Sequence, residues 1–152
     1  MVALASRGAL LDTEPVSDDD LALVRRALDA FNADGANIDA AGDAPAGIYV
    51  DEPEVVPLRA VLEGTTFSGP SAIRDFWAAS RESWTELHLE MDRIEPAGAG
   101  VLSVGTLTAT SRETGARVES RVAFAIHVRD GLITRNAVHL SEADARRDLG
   151  AD

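Results

Sequence analysis

Gly64-Thr65-Thr66-Phe67-Ser68-Gly69-Pro70-Ser71-Ala72-Ile73-Arg74-Asp75-Phe76-Trp77 is the stretch on which the reading of this chain turns. A polar, glycine-closed turn runs into Pro70, whose fixed φ suits the first turn of a helix. Ile73, Phe76, Trp77 and Ser80 then recur at the spacing that places them on one helical face, and the helix is expected to end near Ser83. Beyond it the period changes. Leu87, Leu89 and Met91 alternate with His88, Glu90 and Asp92, which predicts a strand with one apolar and one wet face, His88 on the wet side. Residues 101–110 and 117–128 are two further β-rich runs, with Gly115 at the turn between them, and residues 132–140 form a last strand. Ser141-Glu142-Ala143-Asp144 opens a short capped terminal helix.

Upstream, Ser17 precedes three aspartates and the helically spaced Leu21, Val24, Leu28 and Phe31, so a capped helix is expected over residues 17–33. Asp34-Gly35 ends it. Residues 37–47, rich in Ala, Gly and Asp and carrying Pro45, read as a weak or broken second helix with Tyr49 at its end. Residues 54–62 read as a first strand despite Pro57, which favours an edge position or a bulge. Helices first and then a mostly antiparallel sheet make the class α+β.

A chain of 152 residues suits one domain, assigned to residues 17–152, with residues 1–16 as a flexible N-terminal arm. With 14 Lys plus Arg against 26 Asp plus Glu, the net charge of -12 disfavours nucleic acid and anionic membrane surfaces as partners. The absence of cysteine excludes disulfides, thiolate metal sites and a Cys nucleophile, and cytoplasmic is the default location. No stretch approaches the roughly 20 apolar residues that span a bilayer. The three histidines lack a metal-ligand spacing, and no glycine-rich loop suits phosphate, so no metal and no cofactor are expected.

Asp130-Gly131 between β-rich runs signals a two-residue hairpin turn. A regular ladder from Arg129 opposite Leu132 pairs His127 with Thr134, Ala125 with Asn136 and Ala123 with Val138 on one face. The other face then carries Val122, Phe124, Ile126, Val128, Ile133 and Ala137, with Arg135 and His139 among them. If this greasy face packs against the helices, Phe124, Arg135 and His139 look toward a cavity. If a second subunit covers it instead, Asn136, His127 and Arg121 line the pocket. A bulged residue would shift the pairing.

The order of the Gly64–Trp77 stretch, the alternating strands and the Arg129–Ile133 hairpin resembles the nuclear transport factor 2-like superfamily, in its SnoaL-like and ketosteroid-isomerase-like branch. The resemblance covers residues 18–150 and implies a cone-shaped, strongly curved sheet wrapped by N-terminal helices around a hydrophobic pocket, often in a homodimer. It is similar to ketosteroid isomerases over residues 47–57 and 71–77. The general base of those enzymes falls on Pro57, their oxyanion-hole tyrosine on Leu28, and their protonated aspartic acid on Ala125 or Phe124. Of the supporting tyrosines Tyr49 remains, and Trp77 replaces its neighbour. The His-x-Asp pair of SnoaL-type cyclases falls on Asn136 and Val138. The Asp-Arg-Asp set of epoxide hydrolases of this fold has no clear counterpart.

The candidate ligand-binding residues are therefore Tyr49, Arg59, Phe76, Trp77, Trp84, Phe124, Asn136 and His139, with Tyr49 and His139 as candidate catalytic groups. Tyr49 carries the chain's one phenol, and Arg59 suits a ligand carboxylate or carbonyl. His139 has a pKa class suited to a general base. Phe76 and Trp77 suit a core that is also a pocket wall, and Trp84 either gates the cone or caps the core. The expected function is a small-molecule pocket for an apolar oxygenated metabolite, polyketide- or terpenoid-like. Its chemistry is either that of a cofactor-free isomerase, cyclase, dehydratase or epoxide hydrolase, or it is a non-catalytic ligand-binding or dimeric interaction module.

Overall fold

Helix α1, Asp18–Gly35, begins where Ser17 closes a capping box: its Oγ accepts from the Asp20 amide and the Asp20 carboxylate accepts from the Ser17 amide, both at 3.1 Å. These coordinates are a computed structural model that describes residues 16–58 and 65–151. The expected arm, Arg59 and the end of the expected first strand lie outside the described residues. Leu23, Val24 and Ala27 of α1 are buried against Val101, Ile126 and Ile133, each large side chain contributing about 1.5–3 kcal/mol relative to exposure.

α1 runs two residues past the expected end because Gly35 is a contact residue rather than a turn. A Cβ there would lie 2.0 Å from the Leu87 carbonyl oxygen. Three residues earlier, the Asn32 side chain donates to the Leu89 carbonyl at 2.9 Å and accepts from the Leu89 amide at 2.8 Å. The last turn of α1 is thus fastened directly to strand backbone. The expected broken helix at 37–47 shrinks to one 3₁₀ turn, Ile38–Ala40, held by the fully buried Ile38.

β1 spans Tyr49–Val56, five residues earlier than expected, and stops at Pro57, which has no N–H for a ladder. Pro53 sits within the irregularity between Tyr49 and Glu54, where the register shifts. β2, Phe67–Ser68, is a two-residue strand paired with β1. α2, Ala72–Ser80, ends three residues before the expected position, and Trp84 opens β3, Trp84–Ala97. β4 (Gly100–Ser111), β5 (Arg117–Arg129), β6 (Leu132–His139) and α3 (Glu142–Asp148) complete the chain. The sheet order is β2-β1-β6-β5-β4-β3; β1 and β6 are parallel and the other pairs antiparallel. This is the α+β class, with a six-stranded, unclosed, curved sheet.

The hairpin turn forms as expected, with Asp130 at φ 53° and Gly131 at φ 79°. Arg129 faces Leu132 and Val128 faces Ile133, but the ladder then slips: His127 faces Arg135, Ile126 faces Asn136, Phe124 faces Val138 and Ala123 faces His139. Thr134 is the extra residue, and its hydroxyl donates to the His127 carbonyl at 3.3 Å. This bulge corrects the regular pairing and exchanges the faces of β6. Asn136 and Val138 join Phe124 and Ile126 on the inner face, under α1 and α2. Arg135 and His139 join His127 on the outer face.

The outer face is covered in part by α3, where Ala145 and Leu149 pack on Leu102, Val104, Ala123 and Ala125. Toward β3 it is polar, carrying His88, Glu90, Thr106, Thr108 and Glu119, with Arg121 paired to Asp92 at 2.6 Å. His88 is exposed there, as expected from the alternation. Among the described residues, no helix is long and apolar enough to cross a membrane.

Candidate functional site

Between the helices and the inner face lies a cavity of about 330 Å³. Its wall is overwhelmingly apolar because both sources are: the inner alternation of β3 to β6 and the buried stripes of α1 and α2. Besides Tyr49, six aromatics come from five elements. Phe31 of α1 meets Trp77 of α2 at a tilt, centroids 5.1 Å apart, Phe76 meets Trp77 edge-on at 5.0 Å, and Phe67 of β2 meets Phe76 edge-on at 6.4 Å. Phe124 of β5 and Trp84 of β3 add to the lining. Such pairs prefer tilted and edge-to-face arrangements, so the wall is a set of locked rings.

Polar groups in this wall are few. Tyr49 and Asp34 are the titratable side chains among the described lining residues, and Asn136 and three serines are the uncharged polar ones. Ser80 is already committed, its hydroxyl donating to the Phe76 carbonyl at 2.7 Å. Burial raises the Tyr49 pKa above that of a free phenol, and the Asn136 side-chain amide beside it works in the opposite direction. Tyr49 therefore stands in the wall as a neutral phenol. The Asn136 Oδ1 is sealed from solvent and has no hydrogen-bond partner among the described residues.

Of the residues singled out from the sequence, Tyr49, Phe76, Trp77, Trp84, Phe124 and Asn136 all border this cavity. Arg59 lies outside the described residues. His139 is a correction, because the Thr134 bulge turns it away from the cavity. On the outer face, His139 Nε2 lies 2.8 Å from one Asp148 oxygen and His127 Nε2 lies 2.9 Å from the other. Arg135 donates to the same carboxylate at 3.0 and 3.2 Å and to Glu54 at 2.5 Å. Burial alone would raise the Asp148 pKa, but the hydrogen bonds from Arg135, His139 and His127 reverse this and hold it far below the usual carboxylate range. Arg121 and His127, the alternative pocket residues, are also on the outer face.

Sequence reasoning missed Phe31, Phe67 and Leu107 as lining residues, and it missed the role of Asp148. The signal for Phe31 was present in the apolar stripe of α1. Nothing local marks Asp148, whose partners lie 9 to 21 positions away.

The positions where the resemblance expects a base, a tyrosine and a His-x-Asp pair are Pro57, Leu28, Asn136 and Val138, and all four line the cavity. A curved sheet closed over an apolar cavity by N-terminal helices defines a nuclear transport factor 2-like protein. The chain belongs to the SnoaL-like family, whose domain model matches residues 24–136.

Solved structures share the fold at low identity. A nuclear transport factor 2-like protein of unknown function from Burkholderia pseudomallei is 16% identical, with TM-score 0.63, over 89% of this chain and 100% of that one. TerC, co-crystallised with polyporic acid, is 21% identical, with TM-score 0.65, over 87% and 98%. A protein from Xanthomonas campestris classed as a candidate polyketide cyclase is 17% identical, with TM-score 0.63, over 86% and 96%. No functionally curated protein matches the sequence.

Proposed function

We propose that this chain holds an apolar, oxygen-bearing small molecule, polyketide- or terpenoid-like, inside the cone, with Tyr49 and Asn136 as its polar anchor. The observation that carries this reading is the cavity of about 330 Å³, lined mostly by aromatic and aliphatic side chains, with Tyr49 and Asn136 as an adjoining pair among its few polar groups. Cavities from about 300 Å³ upward, mostly apolar with a few placed polar groups, are those that enclose small ligands. Co-crystallisation of the structural neighbour TerC with polyporic acid, and the presence of a candidate polyketide cyclase among the neighbours, support the ligand class.

Binding without turnover is the better-supported form of this function. Leu28, Pro57 and Val138 stand where the resemblance expects groups that move protons, and none of the three can. A second form, acid–base transformation of the bound molecule, rests on Asp34 and Tyr49 as the titratable groups in the described wall.

Native mass spectrometry of gently purified protein tests the proposal, and the same spectrum reads subunit number, which tests the homodimer expected from the sequence. A discrete small-molecule adduct that Tyr49→Phe weakens and His139→Ala leaves alone supports it. A ligand-free spectrum with no uptake of added naphthalene-type probes would overturn it.

A further inference from the structure

Asn136 is an anomaly in energetic terms. It reaches the inner face through the Thr134 bulge, flanked on the ladder by Ile126 on one side and Val55 on the other. Its Oδ1 is buried without a partner among the described residues. An unpaired buried acceptor costs about 1–3 kcal/mol, and native proteins almost always satisfy such atoms. The nitrogen end of the amide hydrogen-bonds the Tyr49 phenol, so it is the oxygen alone that is a liability to folding unless something else completes it.

Water is a poor candidate for that completion. A buried water typically makes about three hydrogen bonds, and among the described residues this part of the wall offers it two partners, Asn136 itself and the Tyr49 hydroxyl. Ser103 lies across β5 from β6, roughly 10 Å away at the spacing of two strands. The groups therefore present themselves as a local pair: an acceptor at Asn136 Oδ1 and a donor at the Tyr49 hydroxyl, which burial keeps protonated. A ligand hydroxyl completes both, donating to the amide oxygen and accepting from the phenol. A ligand ketone or ether places its lone pairs against that oxygen and leaves the acceptor unpaired.

We infer that Asn136 makes this a pocket for a hydroxyl-bearing ligand, a phenol, enol or alcohol whose O–H donates to its Oδ1, rather than for a ligand that offers only carbonyl or ether oxygen. The inference rests on the pocket reading above and specifies the ligand's chemistry.

Isothermal titration of the full chain with 2-naphthol, 2-methoxynaphthalene and 2-acetylnaphthalene tests it, since the three share one ring system and only the first donates. Naphthol is expected to bind about tenfold more tightly than the ether, the worth of one satisfied buried acceptor. The ketone is expected to bind no better than the ether. The ether is the more apolar molecule, so solvation works against this ranking rather than for it. In Asn136→Leu the preference should fall to within about twofold while ether binding persists. Equal affinities for naphthol and ether in the wild type, or preference for the ketone, overturn the inference and leave the pocket standing. Failure of all three to bind overturns the pocket reading and the inference with it. Should the variant not fold, the wild-type ranking decides alone.

Discussion

The two faces of β6 treat polar groups in opposite ways. On the outer face, the Asp148 carboxylate receives four hydrogen bonds from His127, Arg135 and His139. Arg135 spends its remaining reach on Glu54. On the inner face, one residue away along the strand, Asn136 keeps an oxygen with no partner. The outer cluster is saturated and fastens α3 to the sheet. The inner pair is unfinished and faces a cavity. A histidine or arginine on a strand of this fold is therefore not by itself a sign of chemistry; what separates structure from function here is whether the hydrogen-bonding capacity is used up.

Breaking the saturated side should have the largest effect. Asp148→Ala leaves Arg135 and two histidines without their carboxylate, its own side chain being only 11% exposed, and should cost about 3 kcal/mol of stability by urea denaturation. Naphthol affinity should stay at the wild-type value, because nothing in that cluster lines the cavity. The same group shapes the acid limb of stability. With its pKa held below the ordinary aspartate value, Asp148 stays ionised in the folded chain at pH values where the unfolded chain binds a proton. Its contribution is complete above about pH 4 and is lost as the pH falls toward the folded value. Urea midpoints measured at several pH values should decline less steeply in Asp148→Asn than in the wild type below about pH 4.

A smaller loss is expected where the helical roof meets the inner face. Gly35→Ala places a methyl group 2.0 Å from the Leu87 carbonyl oxygen, which should cost about 2 kcal/mol and lower the melting temperature. Because the displaced element is α1, cavity binding should weaken with it, unlike the Asp148 variants. The smallest effect should be near zero. Asn136→Leu removes the unpaired oxygen, a gain, and the amide that hydrogen-bonds the Tyr49 phenol, a loss, so the stability of the ligand-free protein should stay within about 1 kcal/mol of the wild type in the same urea curves. A much larger loss would mean that the amide oxygen too is a structural partner, which would erase the contrast between the two faces.

Much of this was legible along the chain. The Ser17 cap, the stripe of Ile73, Phe76, Trp77 and Ser80, and the Asp130-Gly131 turn follow local rules, and each forms close to where those rules place it. What escaped was non-local. β1 begins at Tyr49 because it pairs in parallel with β6, more than eighty residues on, and Asp51-Glu52-Pro53 gives no local hint of a strand. The Thr134 bulge escaped for a different reason: threonine suits a regular strand as well as a bulged one, and only the wider sheet decides. Its consequence fell on the site, since a regular ladder assigns Arg135 and His139 to the cavity and the actual one assigns Asn136 and Val138.

That single extra residue acts as a phase shifter in the weave of the strand. It leaves the outline of the cone alone and changes which half of β6 the interior sees. Among chains built on this frame, pairing the same residues without the bulge would swap the amide- and valine-bearing lining for an arginine- and histidine-bearing one with no side chain altered. Alignments that count identities column by column would not register the change, although the chamber they describe would have become a different solvent.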